Sequence, residues 1–142
     1  MSDNNFFSKI QRGELPPPNI AKTLNATFLE VNTDKQTLLT SFDIGEEFLN
    51  PAGFVQGGIV SAMLDDTMGP CLASLLGENQ FAPTLSLKVS FIKGANPGKF
   101  TGKGKVIKKG KSICYLSSEL VDADGELVAT ATATAKIIRM PN

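Results

Sequence analysis

The run from Ile59 to Leu76 constrains the fold more than any other stretch of this chain. Wound into a helix it is apolar on nearly every side, at Ile59, Val60, Met63, Leu64, Met68, Leu72, Leu75 and Leu76, and a single sheet can cover only part of such a surface. Beyond residue 83 the period changes. Leu85, Leu87, Val89 and Phe91 alternate with Ser86, Lys88 and Ser90, the pattern of a half-buried strand. Further strands are expected from Phe100 to Lys108, over 112–121 and from Leu127 to Ile138, with turns at Ala95–Gly98, Lys109-Gly110 and Asp122–Gly125. In the last run Leu127, Ala129, Ala131, Ala133, Ala135 and Ile137 share one face, and Thr130, Thr132 and Thr134 the other. A row of alanines leaves room for something bulky close to the sheet, and a helix lying on it would fill that room.

Ahead of the apolar run, residues 3–12 predict a short helix capped by Asp3 or Ser2, with Phe6, Phe7 and Ile10 on one face. Pro16-Pro17-Pro18 ends it in an extended segment. Strands are expected at about 21–32 and 36–44, joined by a turn at Asn32–Lys35. A loop over 45–56 leads into a helix that starts at Gly57-Gly58 and runs to about Leu76. Pro70 cannot donate to the carbonyl of Asp66, so a kink or an early break is expected there. The order gives an α+β fold: one curved antiparallel sheet wrapped around one long central helix. All 142 residues are expected in a single domain, with 1–20 as an N-terminal helix and proline-rich lead-in. The helix face that the sheet leaves bare is expected to meet a second copy of the chain.

Composition narrows the function. Fourteen basic residues balance fourteen acidic ones, which argues against a nucleic-acid partner bound through a broad basic face. Cys71 and Cys114 are far apart and lack CxxC spacing, so neither a metal site nor a disulfide framework is expected. They read as buried small hydrophobes in a reducing compartment. No segment has the length of a membrane span, and the first residues lack a basic n-region. A cytoplasmic protein without a membrane partner is expected. The chain has no histidine, which excludes a Ser-His-Asp triad. Catalysis must then use carboxylates, amides, hydroxyls or backbone dipoles.

Two features can supply it. Amides at a helix start have no intrahelical partner and sit at the positive end of the helix dipole. Those of Gly57 and Gly58, with no Cβ in the way, can polarise a carbonyl and hold the oxyanion that develops on it. The alternative is that both glycines serve only tight packing. The second feature is the acid pair Asp65-Asp66. At 100° per residue Asp65 lies on nearly the same face as Gly58 and Asp66 points well away, so Asp66 reads as a solvated or salt-bridged acid. Seven residues of helix between Gly58 and Asp65 rise roughly 10 Å, too far for one carbonyl to touch both. The gap closes if the glycines belong to one subunit and the acid to an antiparallel helix of its neighbour. A homodimer is then the minimal active unit.

With Asn50, Gly53, Gln56-Gly57-Gly58 and Asp65 in this spacing, the chain resembles the hotdog-fold acyl-CoA thioesterases of the phenylacetate-pathway (PaaI-like) type. Pro83–Phe91, Gly94–Gly98, Gly110–Ser112 and Asp124–Ala129 match the same family in order, and the resemblance covers about residues 40–138. It implies hydrolysis of an acyl- or aryl-CoA thioester to free acid and coenzyme A, with no cofactor beyond the coenzyme A of the substrate, in a homodimer and commonly a homotetramer. It assigns Asp65 as general base or nucleophile, Gly57 as the carbonyl-polarising amide, Asn50 as the group orienting water or carbonyl, and Thr84 as a hydroxyl near the acid. It also implies that the hairpin of Lys108, Lys109, Gly110, Lys111 and Ser112 contacts the coenzyme phosphates, with Gly58 beside the substrate. Read alone, that hairpin is a solvated turn with gatekeeping charges, and Asn50 is a turn former before Pro51. Gln56 departs from the family, whose usual residue there is histidine. Its amide cannot titrate but can still donate and accept, so altered carbonyl contacts or substrate choice are expected. The alternative reading of that departure is a non-catalytic acyl-CoA-binding or regulatory protein on the same scaffold.

Overall fold

The computed structural model describes residues 4–141. Its elements are α1 (Phe6–Gln11), α2 (Asn19–Thr23), β1 (Thr27–Asn32), β2 (Thr37–Ile44), α3 (Gly57–Ala73), β3 (Gln80–Phe81), β4 (Thr84–Phe91), β5 (Gly98–Lys109), β6 (Ile113–Asp122), β7 (Leu127–Lys136) and β8 (Ile138–Arg139). Six strands form one antiparallel sheet in the order β1-β2-β5-β6-β7-β4, and β3 pairs with β8 apart from it. The helix α3 lies across the sheet, and the core forms between them.

Side-chain size explains the close approach. Ala129, Ala131, Ala133 and Ala135 all lie buried on the helix side of β7, as the sequence pattern predicts. Gly102 and Gly104 do the same on β5, where a Cβ on Gly104 would stand 2.9 Å from the carbonyl oxygen of Thr67 on α3. Met63, Leu64, Met68, Cys71 and Leu72 of α3 fill the space against Phe42, Phe100, Val106, Leu116 and Leu120.

Several expectations need correction. The cap of α1 is Asn5, whose side chain accepts from the Ser8 amide at 2.8 Å; Ser2 and Asp3 lie outside the described residues. Asn5 Nδ2 also donates to the Leu76 carbonyl at 2.9 Å, which ties the N-terminal segment to the end of the α3 region. Residues 21–23, expected to open a strand, fall in α2 instead. That helix ends at Thr23 with Leu24 as its cap, and Asn25, with a φ of 49°, then reverses the chain, so β1 starts only at Thr27. Pro70 does not break α3, which runs one more turn to Ala73, short of Leu76.

The largest difference concerns β4. The alternation is present, but Leu85, Leu87 and Phe91 are 57%, 38% and 57% exposed. The strand does not pair with β5, its neighbour in sequence; it crosses to the sheet edge beside β7, where α3 covers little of it. Residues 92–97 are therefore a crossover connection, held by Lys93, whose Nζ bridges Asp122 at 2.8 Å and Glu126 at 2.7 Å.

Candidate active site

The loop before α3 is built around Asn50. Its Oδ1 accepts from the amides of Ala52 and Phe54, at 3.0 and 3.1 Å, and its own amide donates to Phe54 O at 2.7 Å. The turn-forming part is thus real, while the Asn50 Nδ2 donors have no acceptor among the described residues. Gln56 then holds φ −54° and ψ 136° as the N-cap, with its amide bonded to Phe48 O at 2.8 Å and no capping bond from its side chain. The Gln56 carbonyl takes the amides of Ile59 and Val60. The Gly57 and Gly58 amides have no acceptor among the described residues, and no acid occupies the first turn. The positive end of a 17-residue helix is left uncompensated.

Two exposed phenyl rings flank that helix start. A Cβ on Gly57 would meet the Phe91 ring at 3.3 Å, and one on Gly94 would meet the Phe54 ring at 2.8 Å. Gly58 faces open space. The Phe91 contact was not readable from period-two patterning, because it depends on β4 running alongside α3.

About one turn past Ser61, Asp65 is half-buried, and Thr84 Oγ1 donates to its Oδ1 at 2.9 Å. Thr84 opens β4 and Phe91 closes it. β4 therefore runs alongside α3, with the acid and hydroxyl at one end and the glycine amides and Phe91 at the other. Within one chain Gly57 and Asp65 are eight residues apart, a rise of about 12 Å along the helix. The structure brings Asp65 together with Thr84 and puts Asn50 and Gln56 on the loop that leads into Gly57 and Gly58, but it does not join the two groups in one chain.

Asp66 differs from the expected solvated or salt-bridged acid. It is half-buried and has no cation or hydrogen-bond partner among the described residues. Burial, and after it the neighbouring Asp65 carboxylate, pushes it up to about 6. The thiols offer no nucleophile: Cys71 and Cys114 are buried and unpaired with each other, and burial pushes Cys71 up to about 12. No group of metal-ligating side chains occurs among the described residues, and no described helix is long and apolar enough to cross a membrane.

The lysine hairpin lies at the acid's end of the sheet. Lys109 pairs with Cys114, Cys114 with Ala135, and Ala135 with Thr84. Three strand spacings, about 14 Å, separate the hairpin from Thr84. Lys108, Lys109, Lys111 and Ser112 are exposed. The Gly110 amide is not free, because it donates to Ile113 O at 3.1 Å.

The thioesterase superfamily model matches residues 52–129, which contain the glycine pair, both acids and Thr84. The chain belongs to the thioesterase superfamily. A Saccharolobus solfataricus protein described as a candidate esterase is 34% identical over 110 residues, 77% of either chain. A Ralstonia eutropha JMP134 crystal structure, of a candidate thioesterase described as phenylacetic acid degradation-related, matches this thioesterase with TM-score 0.90 and 38% identity. That match covers 93% of this chain and 99% of the other. The PaaI protein of the E. coli phenylacetic acid degradation operon shares the fold, with TM-score 0.82 over 95% of this chain and 96% of that one, at 15% identity. The protein is a PaaI-like, hotdog-fold thioester hydrolase.

Proposed function

We propose that this thioesterase hydrolyses acyl- or aryl-coenzyme A thioesters to the free acid and coenzyme A, at two equivalent sites across a homodimer. The observation that carries the reading is the half-buried Asp65, held by the Thr84 hydroxyl, on a helix whose first amides have no acceptor. The bare face of α3 and the uncovered side of β4 adjoin each other, and a second copy would bury both. An antiparallel neighbour brings its Gly57 amide opposite Asp65 and removes the 12 Å gap.

In this site the thioester carbonyl accepts from the partner's Gly57 amide, with Asn50 Nδ2 and Gln56 offering further donors. The Thr84 bond occupies Oδ1 of Asp65 and leaves Oδ2 to act. As a base, Asp65 takes a proton from water as the water oxygen bonds to the carbonyl carbon. As a nucleophile, it bonds to that carbon itself, and water then cleaves the anhydride. Either way the negative charge moves to the carbonyl oxygen, where the helix-start amide stabilises it. When the C–S bond breaks, the thiolate leaves; in the first route it takes the proton that Asp65 removed from water, and in the second the proton comes from the water that cleaves the anhydride. The exposed lysines of the hairpin lie a pantetheine arm's reach from Thr84 and suit the coenzyme phosphates.

Asp65→Asn should lower thiol release from a panel of short, medium, long and aromatic acyl-CoAs by about 10²–10⁴-fold, with an unchanged circular dichroism spectrum. Wild-type turnover in that variant would contradict the assignment. Tight calorimetric binding without turnover by the wild type would favour a non-catalytic acyl-CoA binder.

A further inference from the structure

The residues Ile59, Ala62, Asp66, Gly69 and Ala73 share the face of α3 opposite the sheet, and all are only partly buried. Asp66 is the one polar side chain among them. Its carboxylate has no partner among the described residues, and Pro70 gives its backbone carbonyl no amide. At the start of the same helix, the exposed Gln56 side chain makes no hydrogen bond among the described residues. Each chain thus carries an acceptor without a donor at mid-helix and an amide without a partner at the N-cap.

An antiparallel pair of helices has a fixed arithmetic. If Asp65 stands opposite the partner's Gly57, each step forward on one helix is a step back on the other. Asp66 then stands opposite the partner's Gln56, and Ser61 opposite its own copy. We propose that Asp66 and the partner's Gln56 form a hydrogen-bonded pair, made twice per dimer, that fixes the register of the two α3 helices and so positions Asp65 against the partner's Gly57. The inference rests on the cross-subunit reading of the site. A primary amide suits the place because it donates to a carboxylate and accepts from a carboxylic acid equally well. Asp66 is a positioning residue for the reaction, and the Gln56 amide, with two N–H groups, bonds Asp66 through one and keeps the other for the carbonyl.

The test exchanges the two chemistries between subunits. Gln56→Glu sets carboxylates against each other in both pairs, whereas Asp66→Asn leaves two amides that still bond. Mixing the two single variants gives a heterodimer with one Glu–Asn pair and one Gln–Asp pair, both complementary. At pH 8, dilution monitored by sedimentation should show the Gln56→Glu dimer weakened at least about tenfold, and Asp66→Asn within about threefold of wild type. The mixed dimer and the Gln56→Glu/Asp66→Asn double variant should both return to within about threefold. If Gln56→Glu does not fold alone, the double variant decides, since it should fold and dimerise normally. An undiminished Gln56→Glu dimer, or a double variant or mixture no tighter than Gln56→Glu, overturns the proposal. The readout is assembly, so an absence of turnover on acyl-CoA, which would sink the functional reading, leaves this outcome separately legible.

Discussion

Asp66 keeps its proton well into the range where carboxylates are ordinarily charged, because its own chain solvates the anion poorly, an effect that the amide of the partner's Gln56 offsets only in part. The consequence for stability has a definite sign. The unfolded chain releases this proton near 3.8 and the folded chain near 6, so the contribution is full below 3.8 and lost as pH rises through 6. A rise of this size is about 3 kcal/mol on the charged form, and partial solvation reduces that to about 1–2 kcal/mol. Asp66→Asn should therefore melt higher than wild type at pH 7.5, by a few degrees on the order expected for this size, and match it at pH 4. Calorimetric melting across that range checks it; equal melting temperatures at pH 7.5 would contradict it. At this scale the family resemblance was informative, since it set the Thr84 hydroxyl near the acid: Asp65 and Thr84, far apart in the chain, meet at 2.9 Å. The sequence was silent on Phe91 against Gly57, which no periodicity encodes.

Among the elements, β5 shows how the sheet admits the helix. Gly102 and Gly104 remove two side chains at the point where Thr67 presses in. Gly104→Ala would place a methyl against the Thr67 carbonyl, a backbone atom that cannot rotate aside, and should destabilise the fold by about 1–3 kcal/mol in urea titration. A neutral result would mean that α3 lies less tightly than described. The expected strands at β5, β6 and β7 all form, and in β7 the row from Ala129 to Ala135 predicted to share a face is buried. Strand period misled for β4, since alternation tells which residues share a face but not whether anything covers that face. It also misled at residues 21–26, where the end of α2 and the turn at Asn25 replace the first half of an expected strand.

For the whole molecule, the separation of acid and amide along α3 makes the account a claim about two chains. Gly57→Pro removes the amide N–H while keeping the helix, because proline is favoured at the first helical position and Gln56 already holds the extended ψ of 136° that must precede it. Asp65→Asn removes the acid. Each variant alone lacks one half of every site. Co-expressed in equal amounts, half of the dimers are mixed, and each mixed dimer holds one site with an intact acid and an intact glycine. Thiol release from acyl-CoA by the co-expressed pair should recover to about a quarter of the wild-type rate while each variant alone stays inactive. No recovery in a sample shown to contain mixed dimers would contradict the account, since it would place the acid and the amide it needs in the same chain.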